Sequence, residues 1–208
     1  MLKIEFLSCK IEIGMSFFAL LTLMLLTCDS LLISMSLIVS LLHESGHILA
    51  MILCKDKIKT LKITAAGLRI DKINSMNLSY NQEIFIALAG VCMNFILCGV
   101  SALIYYTCGS KSVLGFLCIN IIVAIFNLLP IESLDGAKAL YFFLLKKISH
   151  DKACEFIAVL SIITIILMIV FAGISFYLTK TNFSLLIVII YLIILLVNRI
   201  FQLKKNDL

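Results

Sequence analysis

From Leu31 to Cys54 the chain reads LLISMSLIVSLLHESGHILAMILC, an apolar run that carries two histidines and a glutamate in its second half. A bilayer span needs about 20 such residues. Only a helix or a closed barrel can satisfy its own backbone there, so the run is expected to be a helix. A charged side chain at mid-membrane costs roughly 2.5–3.5 kcal/mol on the insertion scale. Ionisable groups that persist inside a span therefore mark function before packing. His43 and His47 stand four residues apart, about 400° of rotation and about 6 Å of rise, and so share one helix face. Two imidazoles so placed can both hold Zn²⁺, and Glu44, beside the first, can reach the water activated there. The competing reading is a polar patch that joins helices.

The chain as a whole is strongly apolar. Of 208 residues 62% are hydrophobic and 14% charged, with a mean hydropathy of +1.17. A soluble domain of this size needs far less apolar material, so the class is an all-α polytopic membrane protein. Six runs are long enough to span: about 11–28, 31–53, 84–108, 113–130, 153–178 and 183–203. The first has the character of a signal-peptide core, but Cys28-Asp29-Ser30 offers no small-residue cleavage site, and a retained helix is expected.

A net charge of +5 does not point to nucleic acid, because the charges are segregated. Lys3, Lys10, Lys55, Lys57, Lys59, Lys62, Arg69, Lys72, Lys138, Lys146, Lys147, Lys152, Arg199, Lys204 and Lys205 fall on one side of the six spans. Only Lys111 and Lys180 fall on the other. The positive-inside rule puts both termini and the two longer loops in the cytoplasm of a multi-pass cell-membrane protein. Eight scattered cysteines, without a C-x-x-C pair, fit neither a disulfide framework nor a cysteine zinc site.

Two cytoplasmic segments are more than connectors. IKTLKITAAGLRIDKI (58–73) alternates apolar and polar residues on both sides of Ala65-Ala66-Gly67, which fits a small membrane-associated β-hairpin or an amphipathic surface loop. Leu2–Phe6 and Lys10–Ile13 alternate similarly and could add a strand. Residues 131–152 begin with an acidic turn and continue as a short amphipathic helix expected at the membrane interface.

A catalytic zinc takes three protein ligands and leaves one position open. His150 and Asp135 are candidates for the third. His150 lies among lysines, whereas Asp135 follows Asn127-Leu128-Leu129-Pro130-Ile131-Glu132-Ser133-Leu134. Pro130 ends or kinks the helix and lets the backbone turn inward, a course tolerated at membrane depth only around a protein-lined cavity. Asp135 is therefore preferred, although Asp-Gly alone reads as a plain turn.

HESGH on a membrane helix, followed by N-x-x-P-x-x-x-x-D-G at Asn127, Pro130, Asp135 and Gly136, resembles the site-2 protease family of intramembrane zinc metalloproteases. Ala89-Gly90-Val91-Cys92-Met93-Asn94 is similar to that family's A-G-P-x-x-N segment, with Val91 where proline is usual. The resemblance covers residues 31–140, a three-helix metalloprotease core, with helices 11–28, 153–178 and 183–203 flanking it in one integral-membrane domain, 1–208. Without a PDZ insertion and with a helix on each flank of the core, the arrangement resembles the stage IV sporulation protein FB-like group, which implies a bacterial protein, here expected to lack that group's CBS domain. The resemblance implies His43, His47 and Asp135 as ligands of one zinc ion and Glu44 as general base. It also implies Asn94 and Asn127 as polar groups that position substrate or steady the oxyanion; each could equally be an interhelical hydrogen-bonding residue. Asn120, one heptad before Asn127, fits that structural role better. Glu132 has no counterpart in the family pattern.

The expected activity is hydrolysis of peptide bonds in transmembrane or membrane-associated proteins, near the cytoplasmic leaflet, within regulated intramembrane proteolysis. Its expected partners are the substrate, the lipid bilayer and a regulatory membrane protein, with no nucleic acid. Two alternatives stay open: a metal-ion or proton transporter, since His and Asp also line ion paths, and a pseudoprotease that binds membrane proteins without cutting them.

Overall fold

The computed structural model describes residues 2–6, 9–13, 30–55, 58–64, 67–72, 78–132 and 134–179. Strands β1 (Leu2–Phe6) and β2 (Cys9–Ile13) precede helix α1 (Ser30–Leu53). Strands β3 (Ile58–Thr64) and β4 (Gly67–Lys72) follow, and then helices α2 (Tyr80–Cys108), α3 (Lys111–Leu128), α4 (Asp135–Leu144) and α5 (His150–Thr179). Helices α1, α2, α3 and α5 are each long and apolar enough to cross a membrane. The predicted first span begins in β2 at residues 11–13, where alternation wins over apolar content. The rest of it, and all of the sixth, lie outside the described residues.

The strands form one sheet in the order β1-β2-β3-β4. β3 and β4 pair antiparallel about the predicted turn, with Leu61 opposite Ile70 and Thr64 opposite Gly67. β2 joins the other side of β3 in parallel, Ile11 opposite Leu61, and β1 pairs antiparallel with β2. That leaves the open edges at β1 and β4.

Packing divides the chain into two compact units, Met1–Asn127 and Leu128–Leu208. In the first, α1 and α2 approach closely because Gly46 carries no side chain. A Cβ there would stand 2.7 Å from the Ala89 carbonyl oxygen and 3.0 Å from Met93 Cβ. Ala50, Met51 and Ile86 form a small apolar core beside this crossing. The start of α2 is fixed by a capping box. Ser79 Oγ accepts from the Gln82 N–H, and Gln82 Oε1 accepts from the Ser79 N–H at 2.9 Å. Gly109, at φ +60°, ends α2 and donates its N–H to the Tyr105 carbonyl.

In the second unit, Ile131 and Ile165 pack together with Leu129, Leu134, Met168 and Ile169 around them. The chain turns between Leu128 and Asp135: Ile131 N–H reaches the Leu129 carbonyl and Leu134 N–H the Ile131 carbonyl. Pro130 accounts for the break, since it has no N–H and disfavours helix in the residue before it. Gly136 then lies against the backbone of Leu128, with the Leu128 carbonyl where a Cβ would project.

Candidate metal centre

The histidines sit where the helical spacing puts them, on one buried face of α1. Their Nε2 atoms lie 3.2 Å apart. That is about the edge of a tetrahedron built on Zn–N bonds of 2.0–2.1 Å, roughly 3.3 Å. Each ring is oriented through its other nitrogen. His47 Nδ1 lies 2.7 Å from the Ile86 carbonyl oxygen. A carbonyl only accepts, so Nδ1 carries the proton and the lone pair is on Nε2.

The second ring is held by Asn94, which is 0% exposed on α2. Its Nδ2 lies 3.2 Å from His43 Nδ1, while its Oδ1 has no hydrogen-bond partner among the described residues. With Nδ2 donating, the His43 proton sits on Nε2 and faces His47 Nε2. A ligand needs that proton on Nδ1 instead. Turning the amide over places Oδ1 against the Nδ1–H, which satisfies the orphaned oxygen and bares Nε2. Gly90 supplies the room: a Cβ there would stand 2.7 Å from both Cε1 and Nε2 of His43 and collide with His47 Nε2.

Asp135, buried at the start of α4, completes the group. One ligand atom each from His43, His47 and Asp135 lie within 4.8 Å of one another. Lys138, one turn on, donates to Asp135 Oδ1 at 2.9 Å. Two neutral imidazoles and a carboxylate, all buried, are the donor set of a catalytic zinc site, and these residues fit that ion. Glu44, half-buried, follows His43 on α1.

The remaining candidates fall elsewhere. His150 is exposed at the first residue of α5, with Nδ1 2.6 Å from the Tyr141 hydroxyl. Asn127 donates its amide to the Val123 carbonyl in its own helix, and Asn120, fully buried, to the Phe116 carbonyl. Glu132 is exposed. The sequence placed Gly90 in the segment similar to A-G-P-x-x-N without giving it a role, and the rings opposite it explain its lack of a side chain. Sequence reasoning overlooked Glu83, buried on the α2 stripe that includes Ala87, Gly90 and Asn94.

No protein-family model matches the sequence, and no curated protein matches it. Among solved structures it is similar to the site-2 protease from Methanocaldococcus jannaschii, with a TM-score of 0.67 over 95% of this chain and 93% of that one. The chain has the site-2 protease fold. Identity to that protein is 21%, so the likeness lies in backbone course. Within that fold, this chain's buried histidine, histidine and aspartate form a metal-competent group.

Proposed function

We propose that this protein is an intramembrane zinc metalloprotease that hydrolyses peptide bonds of membrane-embedded or membrane-associated proteins near the cytoplasmic leaflet. The observation that carries the reading is the buried His43, His47 and Asp135 group with Glu44 beside it on a helix long enough to span. Zinc held by those three residues would supply Lewis-acid polarisation of the scissile carbonyl and activation of water. Glu44 takes the proton of the attacking water and returns it to the leaving amine. The Ile86 carbonyl keeps the His47 lone pair on Nε2, and Asn94, with its amide turned over, would do the same for His43.

A helical substrate hides its carbonyls in its own hydrogen bonds and must unwind before it can be cut. Because β2 and β4 flank β3, the hairpin's open edge is β4, and an extended substrate strand would pair along Gly67–Lys72. The charge distribution supports cytoplasmic termini and release of a cytosolic fragment, as regulated intramembrane proteolysis requires.

The test is Glu44→Gln in the full chain in membranes. Peptide cleavage should fall about 10²–10⁴-fold while one zinc per chain is retained. Membrane proteomics comparing wild type with this variant would then reveal substrates as fragments that vanish. Metal flux that persists in the variant, with no peptide bond cut by either protein, would replace this reading with a transporter. Zinc binding without cleavage or flux in the wild type would indicate a pseudoprotease.

A further inference from the structure

We propose that Ser161, in the middle of α5, is a positioning residue for the third metal ligand, Asp135; this rests on the metalloprotease reading above. Ser161 is 1% exposed, and its hydroxyl makes two hydrogen bonds to a segment about 30 residues earlier. Oγ accepts from the Glu132 N–H at 3.0 Å and donates to the Pro130 carbonyl at 3.0 Å.

These two backbone groups belong to the segment that carries Asp135. Between Leu129 and Leu134 the turn satisfies the N–H groups of Ile131 and Leu134 from within, and Pro130 has none. One hydroxyl, that of Ser161, bonds both the Pro130 carbonyl and the Glu132 N–H. Irregular backbone at membrane depth persists only where protein supplies such partners. Ile165, one turn beyond Ser161, packs on Ile131, so a polar grip and an apolar one hold the same turn.

The consequence reaches Asp135 through few bonds. Leu134 N–H is anchored on the Ile131 carbonyl, Asp135 follows as the first residue of α4, and Gly136 abuts Leu128. A turn pinned at Pro130 and Glu132 therefore has little freedom left at Asp135. Thr164, three residues after Ser161, provides the contrast, since its hydroxyl bonds back to Leu160 in its own helix.

The experiment measures Zn²⁺ affinity by chelator competition, and the visible spectrum of the Co²⁺-loaded protein, on the purified full chain. Ser161→Ala should weaken Zn²⁺ binding roughly 10–100-fold, the usual effect of losing a group that orients a ligand, and should alter the Co²⁺ bands. Ser161→Thr, which keeps the hydroxyl, should restore both, and Thr164→Ala should change neither. If Ser161→Ala does not fold, Ser161→Cys, a weaker donor of nearly the same size, should show an intermediate loss. Wild-type affinity and spectrum in the alanine variant, or in the cysteine variant standing in for it, would overturn the proposal. So would an equal loss in Thr164→Ala. Asp135→Ala separates the two levels. If it abolishes tight Zn²⁺ binding while Ser161→Ala does not weaken it, only the role of Ser161 fails. If Asp135→Ala binds as wild type, the metal-centre reading itself fails.

Discussion

The two sources of the proposed metal ligands are built in opposite ways. His43 and His47 stand on an unbroken helix, so their mutual geometry follows from 3.6 residues per turn, and their neighbours need only leave room and orient the rings. Asp135 stands at the start of a helix that follows a proline break, and its place depends on a turn held by side chains from elsewhere. A regular element carries geometry in its own periodicity, whereas a broken one borrows it from tertiary contacts. The glycines mark the contrast most sharply. Gly90 faces imidazole side chains, and Gly136 faces backbone.

Gly136→Ala should therefore give the largest effect. Its Cβ would meet the Leu128 backbone, which has no flexible end that can yield. Overpacking of this kind costs about 1–3 kcal/mol or more. Thermal stability in detergent and zinc content should both fall. Gly90→Ala should come next and separate the two properties: the rings can swing away from a new methyl, so the fold survives, but they then leave the metal. Zinc affinity should fall at least about 100-fold, at the upper end of what disturbing ligand orientation costs, with the metal-free unfolding temperature nearly unchanged. If both variants lose stability and metal in equal proportion, the distinction between side-chain and backbone neighbours does not hold.

The same contrast governs what could be read in advance. The four described helices long and apolar enough to span, and the face shared by His43 and His47, follow from apolar length and helical spacing, so a single sequence carries them. Asp135 needed Pro130 and Gly136 around it, because an Asp-Gly pair has a plain turn as its default. The contact of Asn94 with His43 crosses 51 positions, and nothing local distinguishes an asparagine behind a ligand from one facing substrate. Ser161 and Thr164 look alike in sequence, two hydroxyls in an apolar helix, and only the neighbouring turn separates them. The parallel pairing of β2 with β3 joins segments on either side of α1, a register that alternation within each strand cannot specify.

Asn94 tests whether orientation on the regular side matters as much as it does on the broken side. Asn94→Leu should keep the packing volume but remove the acceptor for the His43 Nδ1–H, and zinc affinity should drop roughly 10–100-fold. Asn94→Asp presents an acceptor whichever way the group turns, so it should bind zinc at least as well as the wild type. A leucine variant with undiminished affinity would mean that the helix alone fixes His43.

The smallest effect is expected at Lys138, although it touches a proposed ligand directly. Its ammonium donates to Asp135 Oδ1 at 2.9 Å, but the lysine side chain is 51% exposed. Exposed pairs of this kind contribute about 0–1 kcal/mol, because water screens the charge and the long side chain loses freedom in holding one geometry. If the turn at Pro130–Glu132, held by the Ser161 hydroxyl, fixes Asp135, the carboxylate does not need the lysine to find its place. Lys138→Met, which keeps the stem and removes the charge, should then shift zinc affinity by no more than about 5-fold, the equivalent of roughly 1 kcal/mol. Raising the salt concentration should erase most of that shift. A loss as large as that expected for Ser161→Ala would reverse the order, and would mean that Asp135 is held by charge at its side chain more than by the backbone that carries it.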